Sequence, residues 1–574
     1  MQADVIIVGG GSAGCVLANR LSADPACRVM LLEAGRDLLP GREPAAILDT
    51  YPGLAAFDPA NHWHHIRLES APAGRNSAAA EPERIYRQPR IMGGGSSING
   101  QVANRGLPDD YDEWARLGAA GWDWQGVLPY FRKLERDLDF TGTLHGADGP
   151  IPIHRIPRAA WPEFSHAVAR SLAAAGHADI VDQNGCHADG YFAIPLANDG
   201  TQRVSAAMAY LDAPTRARAN LTILAETEVL GLHFEGRRVV GVTARRGGQS
   251  FEIGGREVIL SAGAIHSPAL LLRAGIGPAA DLRGLGIDVR VDLRGVGANL
   301  QEHPGVSMSG FLPPDARLRG TTRRHIHLGL RYSSGQADAS DMFMMFAAKS
   351  AWHPLGERLG TLLAWVNKPA GRGHVTLRAG DPAAGPVAAF DLTGDARDRV
   401  RLKDAMRRMA ALAISAELAP HLEAPCPSRY SGLAAALGAP GLRNWLLTAP
   451  VAVLLDRIPA LREPLLRRFA AGGARLADLL GDDMALDGYV RESAFGQWHA
   501  CGTCRMGAED DPGAVVAPAD GRVHGVGGLR VVDASIMPSV PRANVNLTVL
   551  MLAERMATTA GNSLRTHPGS LNLR

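Results

Sequence analysis

The feature that most constrains the fold is a glycine-rich turn near the start of the chain, residues 9–14, with the spacing G-x-G-x-x-G. An apolar run at 4–8 precedes this turn, and a stretch with helical spacing of apolar residues, 12–21, follows it. A second apolar run, 28–33, comes next. This order predicts a strand, a helix and a second parallel strand, the first unit of an α/β sheet. Such a turn lets a pyrophosphate approach the backbone at the helix N-terminus.

Glu33 strengthens the interpretation as a dinucleotide site. It lies 19 residues after Gly14, where a carboxylate accepts hydrogen bonds from the ribose of the adenosine half. A glycine turn in an unrelated strand–helix unit is the alternative. The chain has no second G-x-G-x-x-G after a strand, which favours one tightly held flavin that oxidises the substrate directly.

Composition excludes several classes of function. The chain has 574 residues, with 60 basic and 58 acidic side chains and a formal net charge of +2, so a nucleic-acid partner has no electrostatic support. Hydrophobic residues make up 46% and charged residues 21%, which is typical of a folded, enzyme-sized protein. At about 150 residues per domain, the length alone predicts about four domains.

The sequence predicts a cytoplasmic bacterial protein without stable membrane insertion. The first residues enter a strand without the basic start of a secretory signal. The longest nearly uncharged apolar run, 445–455, has 11 residues and contains Pro450, whereas a bilayer span needs about 20. Six cysteines are few for this length and fit a reducing compartment. Cys501 and Cys504 lack a second pair, so we expect packed thiols and no metal site.

Segments typical of a dinucleotide-binding sheet stand at both ends of the chain, with a different middle, and predict two interleaved domains. The predicted helices are 163–176 and 545–560, and the predicted strands are 221–224, 239–243, 257–260, 342–348, 361–366 and 529–532. The expected ranges are 1–160, 220–305 and 497–564 for the first domain, 161–219 and 306–496 for the second, and 565–574 for a flexible tail.

Two longer motifs carry a family resemblance. Residues 88–106 resemble the first signature of the glucose-methanol-choline (GMC) oxidoreductases, and residues 263–277 resemble the second. Pro89 and Ala274 depart from the usual patterns. Further similar segments are 295–303 and 528–535, and the resemblance runs from residue 3 to residue 562.

Within the family, the chain most resembles the bacterial 5-hydroxymethylfurfural oxidases and the aryl-alcohol oxidases, on residues 104–114, 121–131 and 365–369. Choline-type dehydrogenases share the segment 502–507. The resemblance implies a mixed α/β fold: a discontinuous, Rossmann-like FAD-binding domain with an inserted substrate domain of sheet and helices, as in the p-hydroxybenzoate hydroxylase type.

The resemblance also implies which residues contact cofactor and substrate. For FAD they are Gly9, Gly11, Ser12, Ala13, Gly14, Glu33, Ala34, Trp63, Met92, Asn99, Gly100, Gln101, Val102, Val229, Trp498, Asp533, Ala534 and Val545. For the substrate they are Trp365, Val366 and Trp498. Ile98 stands where some relatives carry a histidine linked covalently to flavin, so non-covalent FAD is implied.

Two residues match the catalytic positions of the family. His499 corresponds to the catalytic base. A neutral imidazole suits this role, because it accepts the hydroxyl proton of an alcohol while the α-hydrogen leaves as hydride. Asn544 corresponds to the second position, where relatives carry His or Asn, and its amide is expected to hold the substrate oxygen. Asn546 is the expected N-cap of the helix that follows.

The expected activity is oxidation of primary alcohols, aromatic or furanic, to aldehydes and, through the aldehyde hydrate, to acids. O2 is the expected acceptor and H2O2 the product. Two alternatives stay open: a dehydrogenase that passes electrons to a quinone or another carrier, and a non-redox lyase of the hydroxynitrile type.

Three features bear on these alternatives without deciding between them. Gly100 either leaves room for dioxygen beside the flavin or serves a backbone turn. Gln497 is polar where such oxidases place an apolar residue. Segment 442–469 is interpreted as a lid or core segment cut into short pieces by its prolines, or as a membrane-surface helix.

Overall fold

The computed structural model describes residues 1–70, 84–319 and 323–566. Its strands are β1 (Gln2–Val8), β2 (Val29–Leu32), β3 (Arg67–Ser70), β4 (Arg84–Ile85), β5 (Glu135–Asp137), β6 (Ile151–His154), β7 (Gly190–Ala193), β8 (Leu196–Ala197), β9 (Leu221–Leu224), β10 (Thr227–Glu235), β11 (Arg238–Arg246), β12 (Gln249–Leu260), β13 (Ile276–Gly277), β14 (Val291–Asp292), β15 (Pro304–Phe311), β16 (Ile326–Tyr332), β17 (Met342–Ala347), β18 (Leu359–Val366), β19 (His374–Leu377), β20 (Pro386–Phe390), β21 (Glu423–Ser428), β22 (Phe495–Gly496) and β23 (Leu529–Val531).

Its helices are α1 (Ser12–Leu21), α2 (Ala45–Leu48), α3 (Gly53–Ala56), α4 (Pro108–Arg116), α5 (Trp124–Leu134), α6 (Glu163–Ala174), α7 (Ala206–Tyr210), α8 (Ala213–Arg216), α9 (Gly263–Arg273), α10 (Ala279–Gly284), α11 (Ala396–Ala413), α12 (Gly432–Gly438), α13 (Leu442–Arg457), α14 (Arg462–Phe469), α15 (Leu476–Gly481), α16 (Asp483–Ser493) and α17 (Val545–Thr566). The tail expected at 565–574 begins inside α17, and residues 567–574 lie outside the described residues.

The first large sheet is built on the predicted strand–helix–strand unit. Its order is β10-β11-β12-β1-β2-β9, and β23 pairs with β12. β1 runs parallel to β2 and β12, and β23 runs parallel to β12. Val5, Ile6, Ile7 and Val8 are buried, as expected for a parallel strand covered on both faces. N-terminal, central and C-terminal pieces of the chain therefore meet in one sheet.

The second large sheet is antiparallel and comes from the middle of the chain. Its order is β21-β15-β18-β17-β16-β7, and β22 pairs with β15. Helix α11 packs against β15 and β18 through Leu402, Met406 and Met409, which are buried in the core of this sheet. A smaller sheet, β19-β20-β3-β4, also forms.

The division into two domains stays a prediction, and the membership of the two sheets supports it. The second sheet takes its strands from 190–193, 304–366, 423–428 and 495–496. Helix α7, in contrast, packs against α1 beside the first sheet, although 161–219 was expected to belong to the second domain.

Most predicted elements have the right type but different ends. Strand 28–33 is observed at 29–32, 239–243 extends to 238–246, and 257–260 is the end of a strand that begins at 249. Helix 545–560 continues to 566. The expected break at Pro450 is wrong, because α13 continues through this proline. Thr448, Ala452 and Leu455 bury one face of α13 on both sides of Pro450, which offsets the cost of about 3 kcal/mol of a proline inside a helix.

Candidate active site

A cavity of about 610 Å³ lies between the two large sheets, and most of the predicted site residues line it. Those that line it are Gly9, Gly11, Ser12, Ala13, Glu33, Ala34, Trp63, Asn99, Gly100, Val102, Val229, Trp365, Trp498, His499, Asp533, Ala534, Asn544 and Val545. The other predicted site residues are Gly14, Met92, Gln101 and Val366. They are absent from its wall.

The contacts of these four residues with other parts of the protein indicate structural roles. A Cβ on Gly14 would lie 1.9 Å from the carbonyl oxygen of Gly9, so Gly14 serves helix packing. The Met92 sulfur lies behind the glycine turn, against Gly10. The Gln101 amide donates to the backbone carbonyls of Asp49 and Thr50. Val366 is enclosed in the core of the second sheet.

The glycine turn makes one end of the cavity. Gly9 has a φ of +102°, and a Cβ there would lie 2.5 Å from the Ser261 carbonyl oxygen. A Cβ on Gly11 would meet no atom closer than 3.9 Å, so this side of the turn is open to the cavity. Helix α1 has no side-chain N-cap, which leaves its first amide groups for a ligand.

Glu33 binds the turn as well as lining the cavity. Its two carboxylate oxygens accept hydrogen bonds from the backbone N–H groups of Gly10, at 2.8 Å, and Gly35, at 2.7 Å. Burial raises the pKa of Glu33 to about 7. Each oxygen keeps a free lone pair, so the carboxylate still fits the ribose contact predicted for it. The open Gly11, the uncapped helix and Glu33 together fit the ADP half of FAD.

At the other end of the cavity, His499 makes one hydrogen bond from each ring nitrogen. Its Nδ1 lies 2.8 Å from Nδ1 of His303. Its Nε2 lies 2.9 Å from the side-chain nitrogen of Asn544. Asn544 immediately precedes α17, and its backbone N–H donates to the side chain of Asn104 at 3.0 Å. The structure thus brings the two predicted catalytic residues into contact.

Burial keeps both histidines neutral. It lowers the pKa of His499 to about 3 and the pKa of His303 well below its ordinary value. With the amide nitrogen of Asn544 facing Nε2 of His499, this Nε2 is an acceptor and the proton of the ring is on Nδ1. Nδ1 then donates to His303. The unprotonated Nε2 of His499 is therefore the nitrogen beside Asn544, and it accepts from the Asn544 amide.

Glu302 holds the backbone around His499. Its carboxylate accepts from the backbone N–H of His499 at 2.8 Å and from that of Gln497 at 3.2 Å. Trp498, between them, has a φ of +60°, a left-handed conformation that costs a non-glycine residue about 1 kcal/mol or more. Burial raises the pKa of Glu302 to about 7. The two hydrogen bonds hold the strained turn that presents His499.

Sequence reasoning missed the roles of Glu302, His303 and Arg203. Glu302 and His303 belong to the family-like segment 295–303, but nothing in that segment indicates contact with His499. Arg203 is buried and donates to the backbone and side-chain oxygens of Asn99, at 2.8 and 3.0 Å. It holds the turn that carries Asn99 and Gly100. No sequence signal separates Arg203 from the other arginines.

The protein atoms around Gly100 leave room for a side chain at this position. Its φ lies outside the left-handed region, and a Cβ on Gly100 would meet only Val102, at 4.0 Å. The backbone therefore does not require glycine here, and a side chain would project into the cavity. Ile98 also lines this part of the wall.

Two further expectations concern neighbouring residues. Asn546 was expected to cap α17. This prediction is wrong, because α17 begins at Val545 and Asn546 lies inside the helix. Its side chain accepts a hydrogen bond from the Ser12 hydroxyl at 2.7 Å. Cys501 and Cys504 are both buried free thiols, as expected.

One group of metal-ligand type occurs among the described residues: Glu135, Asp137 and His145. It does not line the cavity. Arg155 donates to Asp137 at 2.7 Å, and Arg105 pairs with Glu135. The carboxylates are therefore already neutralised by guanidinium groups.

Comparison with known proteins shows the family of this chain. The family models for GMC oxidoreductases match residues 3–305 and 369–553. This chain is a GMC oxidoreductase. As such it is an FAD-dependent oxidoreductase acting on alcohol groups.

Several proteins with named activities are similar to this GMC oxidoreductase. A 5-(hydroxymethyl)furfural oxidase from Methylovorus sp. is 45% identical over 96% of this chain and 98% of its own length. The human mitochondrial choline dehydrogenase is 34% identical over 96% of this chain and 88% of its own. The crystal structure of pyridoxine 4-oxidase from Mesorbium loti has a TM-score of 0.78 and 27% identity, covering 99% of this GMC oxidoreductase and 100% of that chain. In the part of the chain that the structure describes, no helix is long and apolar enough to cross a bilayer.

Proposed function

We propose that this protein oxidises primary aromatic or furanic alcohols to aldehydes, and the aldehyde hydrates to acids, with O2 as the electron acceptor. The observation that carries the proposal is the contact between Nε2 of His499 and the Asn544 amide in the wall of the cavity, with His499 kept neutral by burial. The 45% identical relative named as a 5-(hydroxymethyl)furfural oxidase supports the substrate class.

In the proposed reaction, Nε2 of His499 accepts the hydroxyl proton of the alcohol. The side-chain N–H of Asn544 donates to the alcohol oxygen and stabilises the negative charge that develops there. FAD, when bound, accepts the α-hydrogen as hydride. The Oδ1 atom of Asn544 is buried without a hydrogen-bond partner among the described residues, so the amide is available to reorient on a substrate.

His303 acts here as a positioning residue. While Nδ1 of His499 donates to His303, the His499 ring keeps the tautomer with an unprotonated Nε2, which a substrate hydroxyl can reach by replacing the Asn544 amide as its partner. Once Nε2 is protonated, His303 still accepts from Nδ1, and the imidazolium keeps a buried hydrogen bond. This role corresponds to that of the carboxylate that orients the histidine of a hydrolase triad, but a neutral ring supplies it.

The wall beside His499 supports a flat apolar substrate. Trp365 lies 6.4 Å from the His499 ring, edge to face, and stacks on Phe343 with ring centres 4.6 Å apart. Val102, Met345 and Leu363 also line the cavity. The acidic residues that line it, Glu33, Glu228 and Asp533, belong to the side of the first sheet, and Glu302, beside His499, does not line the cavity. A quaternary ammonium group would therefore meet no cavity-lining carboxylate beside His499.

Oxygen as the acceptor is supported by the 45% identical relative named as an oxidase. The second candidate, a dehydrogenase that uses a quinone or another carrier, is supported by the 34% identical relative named as a mitochondrial choline dehydrogenase. Peroxide measured during aerobic turnover separates the two. One H2O2 per aldehyde is expected; turnover that produces no peroxide and needs an artificial acceptor would contradict the oxidase.

An anaerobic screen of alcohols tests the redox chemistry itself. The flavin absorbance is expected to bleach with benzylic and furanic alcohols. If the flavin stays oxidised with every alcohol, a lyase of the hydroxynitrile type is the better explanation. Two further parts of the proposal are non-covalent FAD, supported by Ile98 at the linking position, and a cytoplasmic location, supported by six free cysteines.

A further inference from the structure

Exposed apolar side chains are concentrated on α13, with one more at the end of α14. Among the described residues, eight of the nineteen exposed large apolar side chains fall within 442–469, whereas the others are scattered over the chain. We call these eight the α13–α14 patch: Leu442, Trp445, Leu446, Leu447, Val453, Leu454, Ile458 and Phe469. Single exposed apolar residues are normal on a soluble protein, but a cluster indicates an interaction surface.

The patch is not an unfilled part of the core. Helix α13 already packs inward through Thr448, Ala452 and Leu455. Leu442, Leu446 and Val453 lie on the opposite face at helical spacing, and Leu442 is 73% exposed. The core interpretation of segment 442–469 is therefore wrong for these side chains, since α13 is apolar on its exposed outer face as well, and the lid interpretation stays a prediction.

The charges around the patch are positive and unpaired. Arg443, Arg457 and Arg468 are exposed, and none has a carboxylate partner among the described residues. The acidic residues of the segment are engaged elsewhere: Asp456 pairs with Arg317 and Arg358, and Glu463 with Arg467.

We propose that the α13–α14 patch binds reversibly to the surface of a bilayer that contains anionic lipids. Apolar side chains, a tryptophan and flanking arginines are the combination with which short helices lie in the headgroup region. Each arginine near an anionic surface adds attraction. A second copy of this chain is a poorer occupant, because two patches in contact would bring six unpaired arginines together.

The patch is connected to the wall of the cavity. The Asn444 side chain donates to the backbone carbonyls of Ala436 and Ala439, which ties α13 to α12. Gly438, at the end of α12, contacts the Phe57 ring. Phe57 lines the cavity and stacks on Tyr430 with ring centres 6.5 Å apart. Bilayer binding would therefore bring this part of the cavity wall close to alcohols dissolved in lipid; this consequence, unlike the binding itself, rests on the proposed function.

Flotation of the FAD-loaded full chain with vesicles tests the proposal. We expect the protein to float with vesicles of phosphatidylcholine and phosphatidylglycerol, to float much less with phosphatidylcholine alone, and to be released in 1 M salt, where the Debye length is about 3 Å. Protein that stays in the dense fraction with anionic vesicles would overturn the proposal.

Matched variants identify the surface. The triple variant R443Q/R457Q/R468Q is expected to lower the partition coefficient about 100-fold, and W445S/L446S/F469S to abolish binding. The controls are R42Q/R116Q/R136Q, which removes three exposed arginines elsewhere, and I414S/M484S, which removes two exposed apolar side chains elsewhere. Binding that responds equally to variants and controls contradicts the assignment.

Two measurements separate the remaining outcomes. Sedimentation velocity without vesicles reports a second copy: a dimer that W445S/L446S/F469S dissociates would replace the lipid surface as the occupant and overturn the proposal. Turnover of a water-soluble alcohol without vesicles reports the proposed function. Since flotation needs no turnover, loss of activity and loss of lipid binding are distinguishable.

Discussion

The Nδ1 atoms of His303 and His499 face each other at 2.8 Å inside the protein, although 196 residues separate them in the chain. Two imidazole nitrogens at this distance share one proton, so one ring donates and the other accepts. The Asn544 amide nitrogen faces Nε2, the other ring nitrogen of His499, and makes Nε2 an acceptor. Nδ1 of His499 is therefore the donor and Nδ1 of His303 the acceptor. The state of the proposed base is thus set by two neighbours, one on each side of its ring.

Replacing His303 tests this arrangement. In His303→Ala, Nδ1 of His499 loses its acceptor and the ring can rotate or adopt the other tautomer, so the rate of flavin reduction should fall about 10- to 100-fold. Water entering the space should also raise the pKa of His499 toward 6.5, and an acid limb should appear in the pH profile. His303→Asn, whose side-chain oxygen still accepts, should restore part of the rate. An unchanged pH profile in His303→Ala would show that His303 only fills space.

The pH dependence of the native enzyme follows from the lowered pKa of His499, about 3 instead of the ordinary 6.5. The neutral base then predominates throughout the range above pH 5, so titration of His499 itself should change the limiting rate of anaerobic flavin reduction by less than about twofold between pH 5.5 and 8. The profile is measured in Glu302→Gln as well, because the Glu302 carboxyl beside His499 has a pKa of about 7. A fall of this rate with an apparent pKa near 6.5 would contradict the burial. Stability has the matching sign: below pH 6.5 the unfolded chain binds a proton that folded His499 does not, so this group lowers stability as the pH falls.

Two variants of Asn544 distinguish hydrogen-bond donation by its side chain from the effect of a charge at this position. Asn544→Asp places a carboxylate beside Nε2 of His499, which favours the protonated ring and removes the N–H donor, so flavin reduction should slow about 100- to 1000-fold. Asn544→His keeps a donor and should retain most of the rate. Stopped-flow reduction with a single benzylic alcohol measures both variants, and FAD content is the control for folding. Equal losses in the two variants would exclude donation as the role of Asn544.

Gly100 tests the access of oxygen. Gly100→Val would fill the open space beside Val102, and reoxidation of the reduced enzyme by O2 should slow about tenfold or more, with Gly100→Ala between the two. Flavin reduction by alcohol and turnover with an artificial acceptor serve as controls and should change little. If reoxidation by O2 is unaffected in Gly100→Val, oxygen does not use this space.

The flavin linkage has a simple test. Because Ile98 cannot form a covalent bond to flavin, acid precipitation should leave a colourless pellet and release all of the FAD to the supernatant. A yellow pellet would show a covalent link through another residue. The histidines that line the cavity, His62, His65, His266, His325 and His499, would then be the candidates.

The sequence predicts the parts of this protein that depend on neighbours in the chain. The glycine turn, the strand before it and α1 have the predicted positions because their residue spacing determines the local backbone. The family motifs also indicated His499 and Asn544, and the structure places them 2.9 Å apart. Two predictions from the local sequence signal were wrong. The helix does not break at Pro450, because the packing of one face of α13 keeps it continuous. Asn546 does not cap α17, because that helix begins at Val545.

What the tertiary structure decides is the set of contacts between distant segments. The amino-acid sequence by itself determined the family, the dinucleotide turn and the candidate base. It contained no sign that His303 accepts from His499, that Glu302 holds the strained Trp498, or that Gly100 faces open space. It also left open whether the leucines of α13 are buried, because an apolar residue at helical spacing packs inward or outward according to what stands opposite it. Only the folded chain, in which one face of α13 is already covered, leaves the other exposed.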